Sequence, residues 1–226
     1  MKDFIGAEAA KLAGLWVDAL QKMRDGQMAL GHLEWFNNLT KDERDRFMAG
    51  EKPVSKPTSP DKFGLFKDLG IITVPKDYVH NTRLASFEKE NRKKFYYWND
   101  AITDKNFNKA TTKLVAGRKF RVKIFKQIVG GTTTSEERLA FLKTQNAILV
   151  GAQGASLVFE QKREDLPKGY WYVSFDEKEA LWKDADGYHR VPCLLRRSDG
   201  DWNFGLGGFG GVWGDDDCLL CFCDCD

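Results

Sequence analysis

The side chains with the most obvious chemical capacity are the five cysteines, Cys193, Cys218, Cys221, Cys223 and Cys225. An odd number crowded toward one end of the chain fits no secreted disulfide framework. On a regular strand Cys221, Cys223 and Cys225 share a face with neighbours roughly 7 Å apart, awkward for a disulfide but open to a soft metal. The run C-x-x-C-x-C-x-C lacks the second, distant pair of a zinc ribbon. Inert or surface-lining thiols are therefore expected, with a metal-binding enzyme or redox protein as the rival. Asp184-Ala185-Asp186-Gly187 and Asp199-Gly200-Asp201 are oxygen-rich like calcium loops. Neither continues to a full ligand set or a closing bidentate Glu, so they predict Asx-type turns between strands. His32, His80 and His189 are isolated from one another and from any Ser or Cys in a nucleophile motif. The glycines from Gly205 to Gly214 are succeeded by acidic residues and another strand, not by the helix of a phosphate-binding loop. No constellation supports catalysis, and a non-enzyme without cofactor or metal is expected.

What sets this end of the chain apart is its composition. A chain of 226 residues, 42% of them apolar, can form one substantial core plus a small appendage, which excludes global disorder. It has no run of about 18 uncharged apolar residues, and Met1 to Ala10 lacks the order of a secretory signal. A protein made soluble in the cytoplasm, without membrane insertion, is expected. The net charge of +2 is too small to argue for nucleic acid. Residues 184–226 hold nine Asp and three Arg, a net −6, which leaves +8 on the rest. All 23 Lys, 12 Glu, 6 Gln and 4 Met lie at or before Lys183. At the upstream rate roughly ten of these would fall in the tail. Sheets and turns use fewer of them, but β-rich segments are seldom empty of all four types. Function is sought in that tail first. A basic nucleic-acid-binding domain using Arg118, Lys119, Arg121, Lys123 and Lys126 is a second rival; such a run more often marks a solvated sheet face.

The elements that must position the tail follow from periodicity. Leu12, Leu15, Trp16, Ala19, Leu20 and Met23 form a helical stripe, Leu30 to Phe36 suggests a second helix, and Thr40-Lys41-Asp42-Glu43 has the form of a capping box opening a third. Residues 1–50 therefore read as a helical N-terminal element suited to docking or oligomerisation. Pro53, Pro57 and Pro60 mark a connector over 51–62, which leaves 63–226 as the main domain. Short strands are expected at Ile71 to Val74 and Phe95 to Trp98, with a helix over Ser86 to Lys94 between them. Phe120 to Ile128 alternates apolar with basic residues as a strand with one wet face would. Ser135 caps a helix carrying Leu139, Phe141 and Leu142, and Ala147 to Val150 reads as a buried strand. Gly151 to Gly154 leads into a helix over Ala155 to Asp165, and Tyr170 to Phe175 and the segments after Gly187 read as strands. Helices early and sheet late argue an α+β fold rather than a doubly wound parallel sheet.

Within the tail, Trp202, Phe204 and Leu206 share one face of a strand while Asn203, Gly205 and Gly207 share the other. One face is expected to be core and the other open, with glycine stripping that surface for a ligand. Phe209, Val212 and Trp213 return to the core, and Leu220 and Phe222 point inward from a closing strand.

Arg190-Val191-Pro192, Phe204-x-Leu206, Phe209, Trp213 and Leu220-Cys221-Phe222, interleaved with positions of seemingly arbitrary identity, resemble the variable region of diversity-generating retroelement target proteins. The upstream order of strand, two helices, then strands, from Leu65 to the end, also resembles a C-type lectin domain. The resemblance implies a C-type lectin-like fold that displays diversified residues from about 190 to 226 on a ligand-binding face. Such diversification acts on template adenines, typically in Asn-type codons, and cannot yield Lys, Glu, Gln, Met or Trp, which matches the absence of the first four from the tail, with Trp202 and Trp213 left as scaffold. Carried over by position, the ligand-binding set is Leu194, Leu195, Arg196, Arg197, Asn203, Gly205, Gly207, Gly208, Gly210, Gly211, Gly214, Asp216 and Asp217. The scaffold is Phe204, Leu206, Phe209, Trp213, Leu220 and Phe222. The implied function is non-catalytic recognition of a protein or other macromolecular ligand, with no nucleic acid favoured. A glycine-rich, acidic surface suits a convex or basic partner, with Leu195 and Arg197 as anchors.

Overall fold

The computed structural model describes residues 62–225 together with Gln21 and Arg24. Two compact units divide the chain, Met1–Ser59 and Pro60–Asp226. The expected N-terminal helices and the proline-rich connector lie outside the described residues, apart from Gln21, Arg24 and Lys62.

Alternation over the basic stretch produces strand β3 (Lys119–Gln127), which buries Phe120, Val122 and Ile124 on one face. Arg121 stays exposed on the other, whereas Phe125 on that same side is buried, so the wet face covers only half the strand. Strand β1 (Phe63–Thr73) pairs antiparallel with β3 and is longer than Ile71 to Val74 suggested. Two register shifts, between Leu65 and Lys67 and between Asp68 and Gly70, destroy the period-2 signal by which a strand is recognised. The second is held by Asp68, whose Oδ1 accepts from the Gly70 amide at 2.8 Å.

The full sheet runs β1, β3, β10 (Asp217–Asp224), β5 (Tyr170–Val173), β7 (His189–Arg196), β8 (Trp202–Gly208), β2 (Phe95–Trp98), with β6 (Trp182–Lys183) paired to β7. β10 is parallel to β5 and β2 is parallel to β8; the other pairs are antiparallel. A separate two-stranded ladder joins β4 (Thr133–Thr134) to β9 (Val212–Trp213). Together with three α-helices this makes a mixed α+β domain with a large, mainly antiparallel sheet.

Cores lie on both faces of the sheet, and β10 divides its side chains between them. Cys218, Leu220 and Phe222 enter the core shared with helices α1 (Arg83–Asn91) and α3 (Gly151–Lys162), while Leu219 and Cys221 enter the core shared with α2 (Ser135–Thr144). On the first face Phe87 packs against Phe95, Trp98, Phe159 and Phe204, with ring centroids 5.6–6.0 Å apart. Aromatic burial on this scale dominates the energetics of a core.

Three helix boundaries depart from expectation for identifiable reasons. α1 starts at Arg83 and not Ser86, because the Asp104 carboxylate, about twenty residues on, accepts from the Leu84 and Ala85 amides at 2.9 Å. α2 is capped by Thr134 and not Ser135: Thr134 and Glu137 form a reciprocal capping box, which releases Ser135 into the interior. α3 begins at Gly151, so Gly151 to Gly154 form its first turn. A Cβ at Gly154 would lie 2.2 Å from Val150 Cγ2 and 3.0 Å from Phe222 Cζ, so glycine is needed for the helix to approach β10. Ala147 to Val150 is correspondingly no strand. Only Ile148 bridges Phe222, and Leu149 and Val150 are buried as a connector between helices.

Candidate functional site

On the α2 side of the sheet one row of residues stands in register across five strands. Asp217 of β10 lies opposite Trp171 of β5, Trp171 opposite Leu195 of β7, Leu195 opposite Asn203 of β8, and Asn203 opposite Tyr97 of β2. With neighbouring strands roughly 4.8 Å apart, the row is about 19 Å wide. The backbone carbonyl of exposed Asp216 accepts from the Trp171 amide at 3.0 Å, which brings the acidic loop to one end of the row. Tyr97, 47% exposed, stands at the other end on the edge strand.

β8 divides its side chains as its alternation requires. Trp202 and Phe204 are buried and Leu206 packs half-buried against the same core, while Asn203 and Gly205 belong to the opposite face. A Cβ added to Gly205 would meet the Trp171 ring at 3.5 Å and the Tyr97 ring at 3.9 Å, which is ordinary contact. Gly205 is thus a buried floor flanked by two aromatic rings rather than an open position. The Oδ1 atom of Asn203 is buried without a hydrogen-bond partner on this face.

Other members of the expected set have different surroundings. Leu194 is fully buried in the core opposite Phe204, because adjacent residues of β7 point to opposite faces. A Cβ at Gly207 would lie 2.5 Å from the Trp213 ring, so this glycine admits an indole and not a ligand. Arg196 Nη1 donates to the carbonyls of Arg163, Glu164 and Leu166 at 3.1, 2.9 and 2.6 Å, closing the segment that follows α3. Asp217 accepts from the Gly214 amide at 2.7 Å and so spends its carboxylate on its own loop, where burial pushes its pKa up. Arg197 lies over the Tyr96 ring at 4.5 Å and pairs with Asp199 at 3.0 Å. Gly208, Gly210, Gly211 and Gly214 are partly or fully exposed about the turn before β9 and the loop after it. Along β8, Gly208 lies roughly 17 Å from Asn203.

The loop from Phe209 to Asp217 is held from beneath by α2. The Trp213 indole donates to Ser135 Oγ at 2.8 Å, and Ser135 donates to the Phe209 carbonyl at 2.6 Å. Arg138, fully buried, donates to the carbonyls of Gly214 and Asp217 and to Thr133 Oγ1. Its guanidinium lies over the Phe63 and Trp213 rings, and desolvation lowers its pKa to about 10. The scaffold residues Phe204, Phe209, Trp213, Leu220 and Phe222 are all buried.

Two residues of the row, Tyr97 and Trp171, escape sequence reasoning because they precede the compositionally unusual tail. Their signal was a run of large aromatics on short strands, Phe95 to Trp98 and Tyr170 to Tyr172, longer than one buried face can absorb.

The remaining chemistry-bearing residues are distributed as follows. Cys193, Cys218 and Cys221 are buried, and burial pushes their thiols up to about 12. Cys218 and Cys221 enter opposite cores, while Cys221 and Cys223 share a face with their sulfurs 3.8 Å apart. Among the described residues no three His, Cys, Asp or Glu side chains converge on a metal position. Asp184 and Asp199 close Asx turns, accepting from the amides of Asp186 and Asp201. His80 Nδ1 accepts from the Leu114 amide at 3.2 Å. On the basic strand Arg121 is paired with Asp68, and Arg118 just before it with Asp224. No helix among the described residues is long and apolar enough to cross a membrane.

Compared with known proteins, the chain matches no family model, and no curated protein and no solved structure matches it significantly.

Proposed function

We propose that the protein is a non-catalytic binding protein with a C-type lectin-like domain, whose segment from about 190 to 226 is diversified by a retroelement and recognises a macromolecular ligand. The observation that carries this reading is the in-register row itself. Leu195 and Asn203 belong to the compositionally restricted tail and stand on the face opposite the core residues Trp202 and Phe204. Identity can change on one side of these strands while the other side keeps the fold. Tyr97 and Trp171 lie outside the tail and flank those positions. Large aromatics of this kind are common energetic anchors of interfaces. Constant aromatic anchors beside variable neighbours would give affinity from the first and specificity from the second.

The order of elements supports the lectin-like part. β3 is followed by α2 and α3, then by β5, β7 and β8, and β10 returns to lie between β3 and β5. The working ligand-binding set narrows to Leu195, Arg197, Asn203, Gly208, Gly210, Gly211 and Asp216, with Tyr97 and Trp171 added. Leu194, Arg196, Gly207 and Asp217 move to the scaffold. Gly205 stays as the floor of the face, and Gly214 as part of the loop that Arg138 holds.

Sequencing the DNA around the coding region tests the diversification. The expected result is a near-copy of the stretch encoding the tail, differing at adenines, beside a reverse transcriptase gene. A locus with neither overturns it.

A further inference from the structure

Away from this row, the loop after β2 and the segment between β5 and β7 line an open cavity of about 620 Å³. Lys105 and Lys109 come from the loop, Lys178, Trp182 and Lys183 from the second segment, and His189 from the start of β7. All four lysines are exposed, and none forms an ion pair among the described residues. Elsewhere Arg118, Arg121, Arg190, Arg196 and Arg197 are each matched to a carboxylate. Glu179 is the one acidic residue in the lining.

Four like charges gathered on one concavity repel one another, and a cleft focuses their potential onto whatever enters. Inside the cavity desolvation chiefly, with the charges of Lys183 and Lys178 adding to it against Glu179, holds the His189 imidazole below its ordinary pKa. Flexible ammonium groups suit phosphate oxygens as point charges. The volume falls in the range of small-molecule sites. Trp182, half-buried and 6.5 Å from the Phe107 ring, adds one aromatic surface.

We propose that this cavity binds a small ligand carrying several phosphate groups, which the four lysines neutralise. The assignment is independent of the C-terminal face, since no residue of that row lines the cavity. A bare phosphate chain and a nucleotide share this chemistry, so both serve as probes.

Titration calorimetry of the full chain with tripolyphosphate and with adenosine triphosphate, at about 50 and about 300 mM salt, tests it. Saturable one-to-one binding that weakens with salt is expected. Two double variants, K105Q/K109Q and K178Q/K183Q, should each weaken it about tenfold or more. The first keeps the test sound, because Lys178 also lies 5.3 Å over the Phe209 ring. K89Q/K93Q removes the same charge from exposed positions outside the cavity and should leave Kd unchanged. Tighter binding of adenosine triphosphate than of tripolyphosphate assigns the aromatic surface to the ligand's ring, and equal affinity assigns the site to the phosphate chain alone. Absence of binding at the lower salt overturns the proposal, as does equal weakening by K89Q/K93Q. Preference for a single-stranded oligonucleotide, with losses spread over basic residues outside the cavity, overturns it in favour of a nucleic-acid surface.

Discussion

Two ends of one sheet face share strand β8 and a glycine each, yet they differ in what covers them. At one end the Trp213 ring closes over Gly207, and the Arg138 guanidinium ties the loop that carries Trp213 to α2. At the other end Trp171 and Tyr97 flank a buried Gly205 at ordinary contact distance, and Tyr97 is exposed on the edge strand. Neighbouring glycines on the same side of one strand therefore serve opposite purposes. Gly207 is required because an indole occupies the space of its side chain, whereas Gly205 has room for a methyl group. A surface that tolerates sequence change and a surface that forbids it can thus lie about 7 Å apart.

Mutation should separate the two ends most sharply at Trp213. Trp213→Ala removes a buried ring, its hydrogen bond to Ser135 and its contact with Phe175, and should cost about 3 to 5 kcal/mol in urea denaturation. A loss below about 1 kcal/mol would mean that the loop is not held by this ring.

The glycine pair gives the next largest contrast. Gly207→Ala forces the Trp213 ring to move and should cost roughly 2 to 3 kcal/mol, while Gly205→Ala should stay within about 1 kcal/mol of the parent. Equal effects at the two positions would erase the distinction between closed and open ends.

A pH dependence should belong to the closed end as well. Asp176 follows Phe175, the ring against Trp213, and burial raises its pKa to about 6 even though Oδ1 accepts from the Thr111 amide at 2.8 Å. Its folded value lies above the ordinary 3.8, so the folded state holds the proton more tightly. Stability should fall as pH rises from about 4 to about 6, by on the order of 3 kcal/mol, and stay at the lower level above that. Asp176→Asn should flatten this part of the profile. An unchanged slope in the variant would assign the dependence to another group.

The smallest effects on stability should come from the open end and the exposed loop. Leu195→Ser, Asn203→Ser and Asp216→Tyr should each change unfolding free energy by about 0.5 kcal/mol or less. Their consequence should appear in ligand binding once a ligand is in hand. Losses above about 2 kcal/mol would move these residues into the scaffold.

Much of this division was legible before the structure. Alternation at Trp202, Phe204 and Leu206 identified the inward face of β8, and the missing Lys, Glu, Gln and Met marked the tail. The α+β class followed from early helices and late strands. Pairs of adjacent residues were less legible: Leu194 and Leu195 are identical in type, and only the register with Phe204 and Asn203 decides which one is core. Arg196 and Arg197 look alike in sequence, but one closes the end of α3 through three carbonyls and the other lies on Tyr96. β1 hid behind two bulges, and the start of α1 behind a cap supplied by Asp104.

The amino-acid order alone determined which strands carry an inward apolar row, where turns must fall, and which part of the chain follows a different compositional rule, because these depend on neighbours within a few residues. Tertiary structure decided which outward positions stay open. That outcome rests on Arg138 and α2 holding the nearby Trp213 at one end of the face and on Tyr97 and Trp171 standing beside the other, and, Trp213 apart, partners some 35 to 110 positions away leave no local trace.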